Sequence, residues 1–130
     1  MLETPLATAT ATTGPSARQT PIVNDFSIMA ATKNGSGSQT ANLTILRSCF
    51  KMGIPVTGKN VFPSNIQGRP TWYWIRLSKD GYRARRSEAE IVICLNNDSA
   101  IQDYAQVAPN GVFIYADDLK LPLQRTDVHH

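Results

Sequence analysis

The sequence predicts an α/β fold in which helices cover a mostly parallel β-sheet. Its 130 residues, 42% hydrophobic and 18% charged, are ordinary for one globular domain. Residues 26–31 and 90–95 are short apolar runs of a length and composition typical of strands buried on both faces. Residues 34–38, Asn-Gly-Ser-Gly-Ser, then join the first run to a segment with helical spacing. We therefore expect strands and helices to alternate along the chain.

The N-terminal third divides into a tail, a strand and a helix. Residues 1–20 are mostly Ala, Thr and Pro with few large apolar side chains, so we predict a disordered tail before a single domain at 21–130. The apolar run at 26–31 predicts the first strand. Apolar residues recur with a helical period over residues 39–50, and Met52-Gly53 is expected to end that helix.

The middle of the chain predicts two or three more strands. Residues 56–62 and the aromatic, β-branched run at 71–77 each indicate a strand. Ser78-Lys79-Asp80-Gly81 is typical of a tight turn, after which residues 82–86 are expected to return antiparallel.

The C-terminal third predicts one more strand, helix and strand. Residues 90–95 suit a central parallel strand, and residues 96–98 would cap a helix over 99–107. Pro109-Asn110-Gly111 is expected to stop that helix before a last strand at 112–115. Residues 116–130 show no convincing element. The order β-α-β-β-β-α-β predicts a Rossmann-like three-layer sandwich with a mostly parallel sheet, incomplete at its C-terminus.

Composition gives little direct indication of function. A net charge of +3 is too small to imply a nucleic acid or a membrane surface without local clustering. Cys49 and Cys94 lie in apolar runs and are interpreted as reduced core thiols, with a disulfide as the less favoured alternative. No apolar run approaches the roughly 20 residues of a membrane span, and the N-terminus lacks the order of a signal peptide, so a cytoplasmic setting is expected.

The glycine turn predicts an anion or cofactor seat, because a strand that enters a helix through glycines presents bare N–H groups and the positive helix end. A dinucleotide fingerprint is disfavoured, since Thr40 replaces its last glycine and residues 56–60 hold no acid for a ribose. Residues 53–60 resemble a phosphate-binding P-loop, but Asn60 replaces the hydroxyl residue and no helix can follow. Tight packing of strand on helix remains the alternative use of these glycines.

A basic cluster lies between Arg69 and Arg86 and is interleaved with aromatic residues. Nucleic-acid binding is disfavoured, because Glu88 and Glu90 follow at once and no nucleic-acid motif is present. Three interpretations stay open: a solvated hairpin, a surface that docks an acidic partner, and a phosphate site, for which arginine is well shaped. The predicted partner or phosphate contacts are Arg76, Arg83, Arg85 and Arg86.

Two strings carry a family resemblance. NGSGSQTAN at 34–42 and MGIPVTGKNVFPSNIQGRPTWYWIRLSKDGY at 52–82 resemble the gamma-type domain at the N-terminus of the alpha subunit of 2-oxoacid:acceptor oxidoreductases, which include 2-oxoglutarate:ferredoxin oxidoreductase. The resemblance runs from about residue 23 to 128. The wider family often has Gly-Gly-Gln-Gly in the loop; Ser38 and Thr40 depart from it and are similar to the 2-oxoglutarate branch.

The resemblance implies a role within a thiamine enzyme. In that family a 2-oxoacid such as 2-oxoglutarate is oxidatively decarboxylated on thiamine diphosphate with Mg, electrons pass through [4Fe–4S] clusters to ferredoxin, and coenzyme A takes the acyl group. This chain shows no cysteine set for a cluster, no recognisable metal motif and no nucleophile–base pair, so no catalytic or metal residue is predicted. The expected partners are the rest of the alpha subunit, the beta subunit and ferredoxin, with no nucleic acid and no membrane. The isolated chain is expected to be inactive.

By the same resemblance, the domain is expected to act as a scaffold that also forms one edge of a coenzyme A or substrate entrance. The residues predicted at that edge are Asn34, Gly35, Ser36, Gly37, Ser38, Gln39, Asn65, Ile66, Gln67 and Gly68. The alternative function is a non-catalytic interaction module that binds an acidic partner through its arginine-rich hairpin. A free-standing nucleotide-binding enzyme is the third and weakest hypothesis.

Overall fold

The computed structural model of the protein describes residues 21–63 and 66–130. The predicted tail at 1–20 and the predicted site residue Asn65 therefore lie outside the described residues. The secondary structure has the predicted order. Its elements are β1 (Asp25–Lys33), α1 (Ser38–Lys51), β2 (Val56–Val61), β3 (Pro70–Ser78), β4 (Ala89–Cys94), a 3₁₀ turn (Asn97–Ser99), α2 (Ala100–Ala105) and β5 (Val107–Tyr115).

The five strands form one sheet in the order β2-β3-β1-β4-β5. Strand β1 is central, and its pairing with β4 is parallel, as is that of β4 with β5. Strand β3 pairs antiparallel with both β1 and β2. The expectation of a mostly parallel sheet is therefore wrong: the sheet is mixed. The connection from β2 to β3, residues 62–69, is shorter than the dozen or so residues that a parallel crossover requires, so these strands form a hairpin.

Each face of the sheet has its own hydrophobic core, because successive side chains of a strand point to opposite faces. On one face Tyr73, Ile75 and Leu77 of β3 pack with Leu43 and Leu46 of α1. The other face carries a larger cluster. Its largest members are Met29, Trp74, Val92, Tyr104 and Phe113. Layers on both faces of a central sheet confirm the three-layer α/β prediction.

Segment 82–86, expected to be a strand, forms none. The turn at Ser78–Gly81 is present, with the Gly81 N–H donating to the Ser78 carbonyl over 2.9 Å. Beyond it the chain crosses the face of the sheet: the Thr57 hydroxyl donates to the Arg83 carbonyl over 3.5 Å, and the Arg85 guanidinium lies over the Trp74 ring. The Asp-Gly turn was thus correct, but the chain after it packs on the face and not along the edge.

The C-terminal third differs from its prediction in two boundaries. Helix α2 is short and ends at Ala105, and the predicted stop at 109–111 lies inside β5, where the pairing with β4 is irregular. The predicted cap is present on the 3₁₀ turn that precedes α2, where the Asn96 side chain accepts the Asp98 N–H over 3.1 Å. Helix α2 itself has Ser99 as its N-cap residue and no side-chain cap. The segment after β5 has no strand or helix of its own, yet it buries Leu119 and Val128 in the larger core.

Both cysteines are free thiols, in line with the sequence interpretation; Cys49 is half-buried and Cys94 is buried. In the part of the chain that the structure describes, no helix has the length and apolarity that a membrane crossing requires.

Candidate functional site

The glycine turn joins the end of β1 to the start of α1, as the sequence predicts. Gly35 and Gly37 have φ angles of +87° and +79°, in the left-handed region where a side chain is strained. Gly37 is the N-cap residue of the helix. The two glycines therefore allow the chain to reverse direction in the four residues between Lys33, where β1 ends, and Ser38, where α1 begins.

The N-terminus of α1 has no side-chain cap. Serine is a common capping residue at helix starts. The Ser38 hydroxyl, however, forms a 2.7 Å hydrogen bond with the Thr32 hydroxyl on β1. The first turn also carries no acidic residue. The Thr40 N–H donates to the Gly37 carbonyl over 3.2 Å. The N–H groups ahead of it and the positive end of the helix dipole are left for an external acceptor, which is the arrangement that favours an anion.

A second loop lies directly against this turn. The Asn34 N–H donates to the Arg69 carbonyl over 2.8 Å, and the Gly68 N–H donates to the Asn34 carbonyl over 3.0 Å. A Cβ added to Gly35 would lie 3.1 Å from Cγ of Gln67, so the two loops touch. The structure therefore brings residues 34–39 and 66–68 together at one edge of the sheet, as predicted from the sequence.

A cavity of about 390 Å³ opens at this edge. Its lining is Thr32, Lys33, Asn34, Gly35, Gly37, Ser38, Gln39, Thr40, Asn42, Asn60, Thr71 and Tyr73. We call it the glycine-turn cavity. Five of its residues were predicted: Asn34, Gly35, Gly37, Ser38 and Gln39. Ser36 lines a neighbouring cavity that shares Thr32, Lys33, Gly37 and Ser38 with this one, while Ile66, Gln67 and Gly68 support the turn and are absent from the lining.

Sequence reasoning missed the side chains that face the cavity from the sheet and the helix. Thr32 on β1 lies opposite Thr71 on β3 in the sheet register, and the Thr71 hydroxyl donates to the Asn60 side-chain oxygen over 3.1 Å. Asn42 follows Gln39 by three residues on the same face of α1 and is 6% exposed. The sequence signal for these residues is a polar side chain at a strand or helix position where the pattern calls for an apolar one.

The chemistry of the glycine-turn cavity is that of a polar seat for an anionic group. Lys33 is the charged member of its described lining. Hydroxyl and amide side chains and the uncapped helix end add donors. Burial raises the pKa of Tyr73 above its ordinary value, while nearby Arg47 acts in the opposite direction, so the phenol stays protonated and can donate. No pair of described lining residues has the nucleophile-and-base arrangement that covalent catalysis requires.

The four arginines predicted as phosphate or partner contacts do not form one surface. Arg76 is buried and donates to Asp25 over 2.6 Å. Arg86 is bonded to the same carboxylate over 3.0 Å and to Glu90 over 2.9 Å. Arg83 and Arg85 are exposed and make no ion pair with a described residue. Two of the four are thus neutralised within the fold, and two remain available.

A third polar cluster was not anticipated from the sequence. Asp103 on α2 is fully buried and accepts 2.7 Å hydrogen bonds from the Trp72 indole and the Ser99 hydroxyl, with the Cys94 thiol 3.5 Å away. Burial raises the pKa of the Asp103 carboxyl, and burial also raises the pKa of Cys94 to about 11. Every donor in the cluster faces inward, so it joins α2 to the sheet and offers nothing to a ligand.

Metal binding finds no support among the described residues, where no group of three or more His, Cys, Asp or Glu side chains comes together. The aromatic residues of the basic segment are equally unsuited to stacking on bases. These are Trp72, Tyr73, Trp74 and Tyr82. Tyr73 and Trp74 are buried, and of the four only Tyr82 is largely exposed.

Comparison of the sequence with known proteins gives a family match and a curated relative. Residues 27–129 match the family model described as pyruvate ferredoxin/flavodoxin oxidoreductase. The alpha subunit of 2-oxoacid:ferredoxin oxidoreductase 2 from Aeropyrum pernix is 25% identical over 91 residues, which is 70% of this chain and 14% of that protein. The chain thus spans about one seventh of the length of this curated relative.

Two solved structures share the fold. The pyruvate oxidoreductase subunit PORC of Thermotoga maritima has a TM-score of 0.60 and 14% identity over 82% of this chain and 57% of its own. The gamma subunit of a keto/oxoacid ferredoxin oxidoreductase from Geobacter sulfurreducens has a TM-score of 0.62 and 13% identity over 79% of this chain and 57% of its own. At these identities the likeness concerns the fold alone.

Proposed function

This chain belongs to the pyruvate ferredoxin/flavodoxin oxidoreductase family, and we propose that it serves as the gamma-type part of a 2-oxoacid:ferredoxin oxidoreductase that uses thiamine diphosphate. The observation that carries the proposal is the family match over residues 27–129. The fold likeness to a gamma subunit of a keto/oxoacid ferredoxin oxidoreductase supports it. Within that enzyme the domain is a scaffold that also forms one edge of a ligand entrance.

The proposed reaction is the oxidative decarboxylation of a 2-oxoacid, such as 2-oxoglutarate, to an acyl-coenzyme A in the cytoplasm. Its thiamine diphosphate, Mg and [4Fe–4S] clusters are assigned to the remainder of the alpha subunit and to the beta subunit, with ferredoxin as acceptor. This assignment follows the donor chemistry of the described residues, which bring no three metal-binding side chains together. The chain by itself is proposed to be inactive.

Coenzyme A is the ligand proposed for the glycine-turn cavity. In the proposed reaction its thiol takes the acyl group, and the cavity would bind its phosphates. The residues present fit its phosphates. The uncapped start of α1 provides backbone N–H donors, Lys33 provides a positive charge, and Asn42 provides a side-chain amide with no hydrogen bond to a described residue. Their part is to bind and orient an anion at the sheet edge, since helix N-termini and amines are suited to phosphate groups.

Two substitutions in the assembled enzyme test this role. We expect Lys33→Gln and Asn42→Ala each to raise the KM for coenzyme A by about fivefold to tenfold, because each removes one polar contact to the anion. The turnover number at saturating coenzyme A is expected to stay near that of the parent enzyme. The measurement is steady-state reduction of ferredoxin with coenzyme A varied.

Lys51→Gln is the matched control, because it removes an exposed lysine at the C-terminal end of α1 that does not line the cavity. An unchanged KM in both cavity variants, with normal assembly, would show that the glycines serve only packing. Failure of the complex to form from this chain and the remaining subunits would contradict the family role as a whole.

The alternative interaction module has narrower support than the sequence implied. Arg76 and Arg86 are held by Asp25 and Glu90, so the surface available to an acidic partner through the predicted arginines is reduced to Arg83 and Arg85.

A further inference from the structure

A second cavity lies on the face of the sheet opposite α1, beneath the segment that was expected to be a strand. Its volume is about 190 Å³. Its lining is Ser27, Thr57, Lys59, Trp74, Ile75, Arg76, Arg83, Ala84 and Arg85. We call it the cationic cavity. No acidic residue is among its described lining.

The register of the sheet explains how these residues meet. Arg76 on β3 lies opposite both Ser27 on β1 and Thr57 on β2. Lys59 lies opposite Trp74 in the next row of the same face. Because opposed residues of paired strands share a face, three strands supply hydroxyl, ammonium and guanidinium groups to one floor.

The wall of the cavity is the segment 83–85. The Thr57 hydroxyl donates to the Arg83 carbonyl over 3.5 Å. The Arg85 guanidinium carbon lies 5.0 Å from the centre of the Trp74 ring, within the range of a cation–π contact. These contacts hold two arginines above the floor and give the cavity a concave form.

Three of the four cations that line this cavity have no counter-ion among the described residues. Arg76 is compensated by Asp25, but Lys59, Arg83 and Arg85 form no ion pair with any described residue. Like charges held together repel one another unless a counter-charge comes between them. Three uncompensated cations match a phosphate group of charge near −2, or a diphosphate, better than a single carboxylate.

An independent observation lies at the floor. Ser27 is 1% exposed, and its Oγ is buried without a hydrogen-bond partner in the described residues. A buried hydroxyl without a partner opposes folding because its lost hydration is not replaced. Such groups are rare, and an unobserved water or ion is one of their recognised causes. This hydroxyl lies where Lys59, Arg76 and Arg83 line the same space.

The geometry points to a binding site for a small phosphate-bearing anion between β1, β2, β3 and the segment 83–85, with Lys59, Arg83 and Arg85 as cationic ligands and the Ser27 hydroxyl as a donor at its base. The volume of about 190 Å³ is below the roughly 300–1,000 Å³ of sites for drug-sized ligands. It suits a phosphate or diphosphate group rather than a whole cofactor. This site is separate from the glycine-turn cavity, with which it shares no residue.

The test is titration of the full 130-residue chain with inorganic phosphate and with pyrophosphate. Binding is measured by calorimetry and by the chemical shifts of the two indole N–H resonances in NMR. Trp74 lines the cavity and is the reporter, while Trp72, whose indole is bonded to Asp103, is the internal reference. Saturable binding that shifts the Trp74 resonance and leaves Trp72 in place supports the site.

Variants assign the binding to these residues. We expect Lys59→Met and Arg83→Gln each to weaken pyrophosphate binding about tenfold, since each removes a charge-assisted contact. Ser27→Ala is expected to weaken binding while the fold is retained, because it removes only a hydroxyl that has no partner in the described residues. Lys79→Met is the control, as it removes an exposed cation of the neighbouring turn that does not line the cavity.

Four results would overturn the inference. They are the absence of saturable phosphate or pyrophosphate binding, equally tight binding of succinate, binding that Lys33→Gln abolishes and Lys59→Met does not, and a Trp74 shift caused by an acidic peptide but not by phosphate. The third result would place the anion in the glycine-turn cavity and would leave the proposed function standing. The last would instead favour an acidic protein partner.

Discussion

Two aspartates on the same side of this sheet have opposite environments. Asp25, at the start of β1, is partly exposed, and the hydrogen bond from Arg76, with that from Arg86, holds the pKa of its carboxyl below the ordinary value. Asp103, on α2, is fully buried without a cation, and burial raises its carboxyl pKa while Ser99 and Trp72 oppose that rise. One residue type therefore serves as a counter-ion in one region and as an internal acceptor in the other.

The difference shows what each region leaves for a ligand. Around Asp103 every donor is used internally, so the cluster is closed and structural. Around Asp25 one carboxylate is shared by Arg76 and Arg86, and the neighbouring cations Lys59, Arg83 and Arg85 have no counter-ion among the described residues. Availability for binding follows from the balance of partners and not from the number of polar residues.

The largest effect is expected where the closed cluster is broken. Asp103→Ala leaves the Trp72 indole and the Ser99 hydroxyl buried without their acceptor, so we expect the free energy of unfolding to fall by about 3 kcal/mol. Urea denaturation at neutral pH measures it. Asp103→Asn keeps one acceptor oxygen and is the matched control, with a smaller loss. Equal stability of the alanine variant and the parent would show that the cluster does not hold α2 to the sheet.

A smaller effect is expected at the open region. Asp25→Asn removes the counter-ion of buried Arg76, but the arginine keeps its bonds to the Phe26 and Leu77 carbonyls and Asp25 is partly exposed to solvent. We expect a loss of about 1 kcal/mol after solvent screening, measured by the same urea titration. Asp80→Asn, in the exposed turn, is the control and should leave stability unchanged. A loss of unfolding free energy as large as that of Asp103→Ala would mean that the Asp25 carboxylate is not screened by solvent as its exposure indicates.

The smallest effect is the sharpest comparison, because its sign differs between the two sites. The folded-state pKa of Asp25 lies below its ordinary 3.8, so its stabilisation is present above pH 3.8 and is lost as the pH falls through the lowered pKa. The folded-state pKa of Asp103 lies above 3.8, so its contribution is greatest below pH 3.8 and decreases as the pH rises through the raised pKa.

Urea denaturation of the parent, Asp25→Asn and Asp103→Asn between pH 3 and 7 would resolve these two slopes. We expect the gap between the parent and Asp25→Asn to narrow towards acid pH. The advantage of the parent over Asp103→Asn should instead narrow towards neutral pH. Slopes of the same sign at both sites would contradict the assignment of desolvation as the dominant cause at Asp103.

Local sequence determined a large part of this protein. The order of strands and helices follows from apolar periodicity, and the junction at Gly35 and Gly37 follows from backbone angles that favour glycine. The family resemblance rested on contiguous strings that include this junction. These features depend on residues close together in the chain, so the sequence carries them directly.

Tertiary structure alone decided the direction of β3, the course of segment 82–86 and which sheet residues line the two cavities. Periodicity says that a segment is a strand but not which strand it pairs with, which is why a mostly parallel sheet was predicted and a mixed one is found. Ser27, Lys59 and Arg83 are distant in sequence and meet only because register places three strands and a crossing segment on one face. The charge balance and burial of these residues could not be predicted from the sequence, because each depends on neighbours that are distant along the chain.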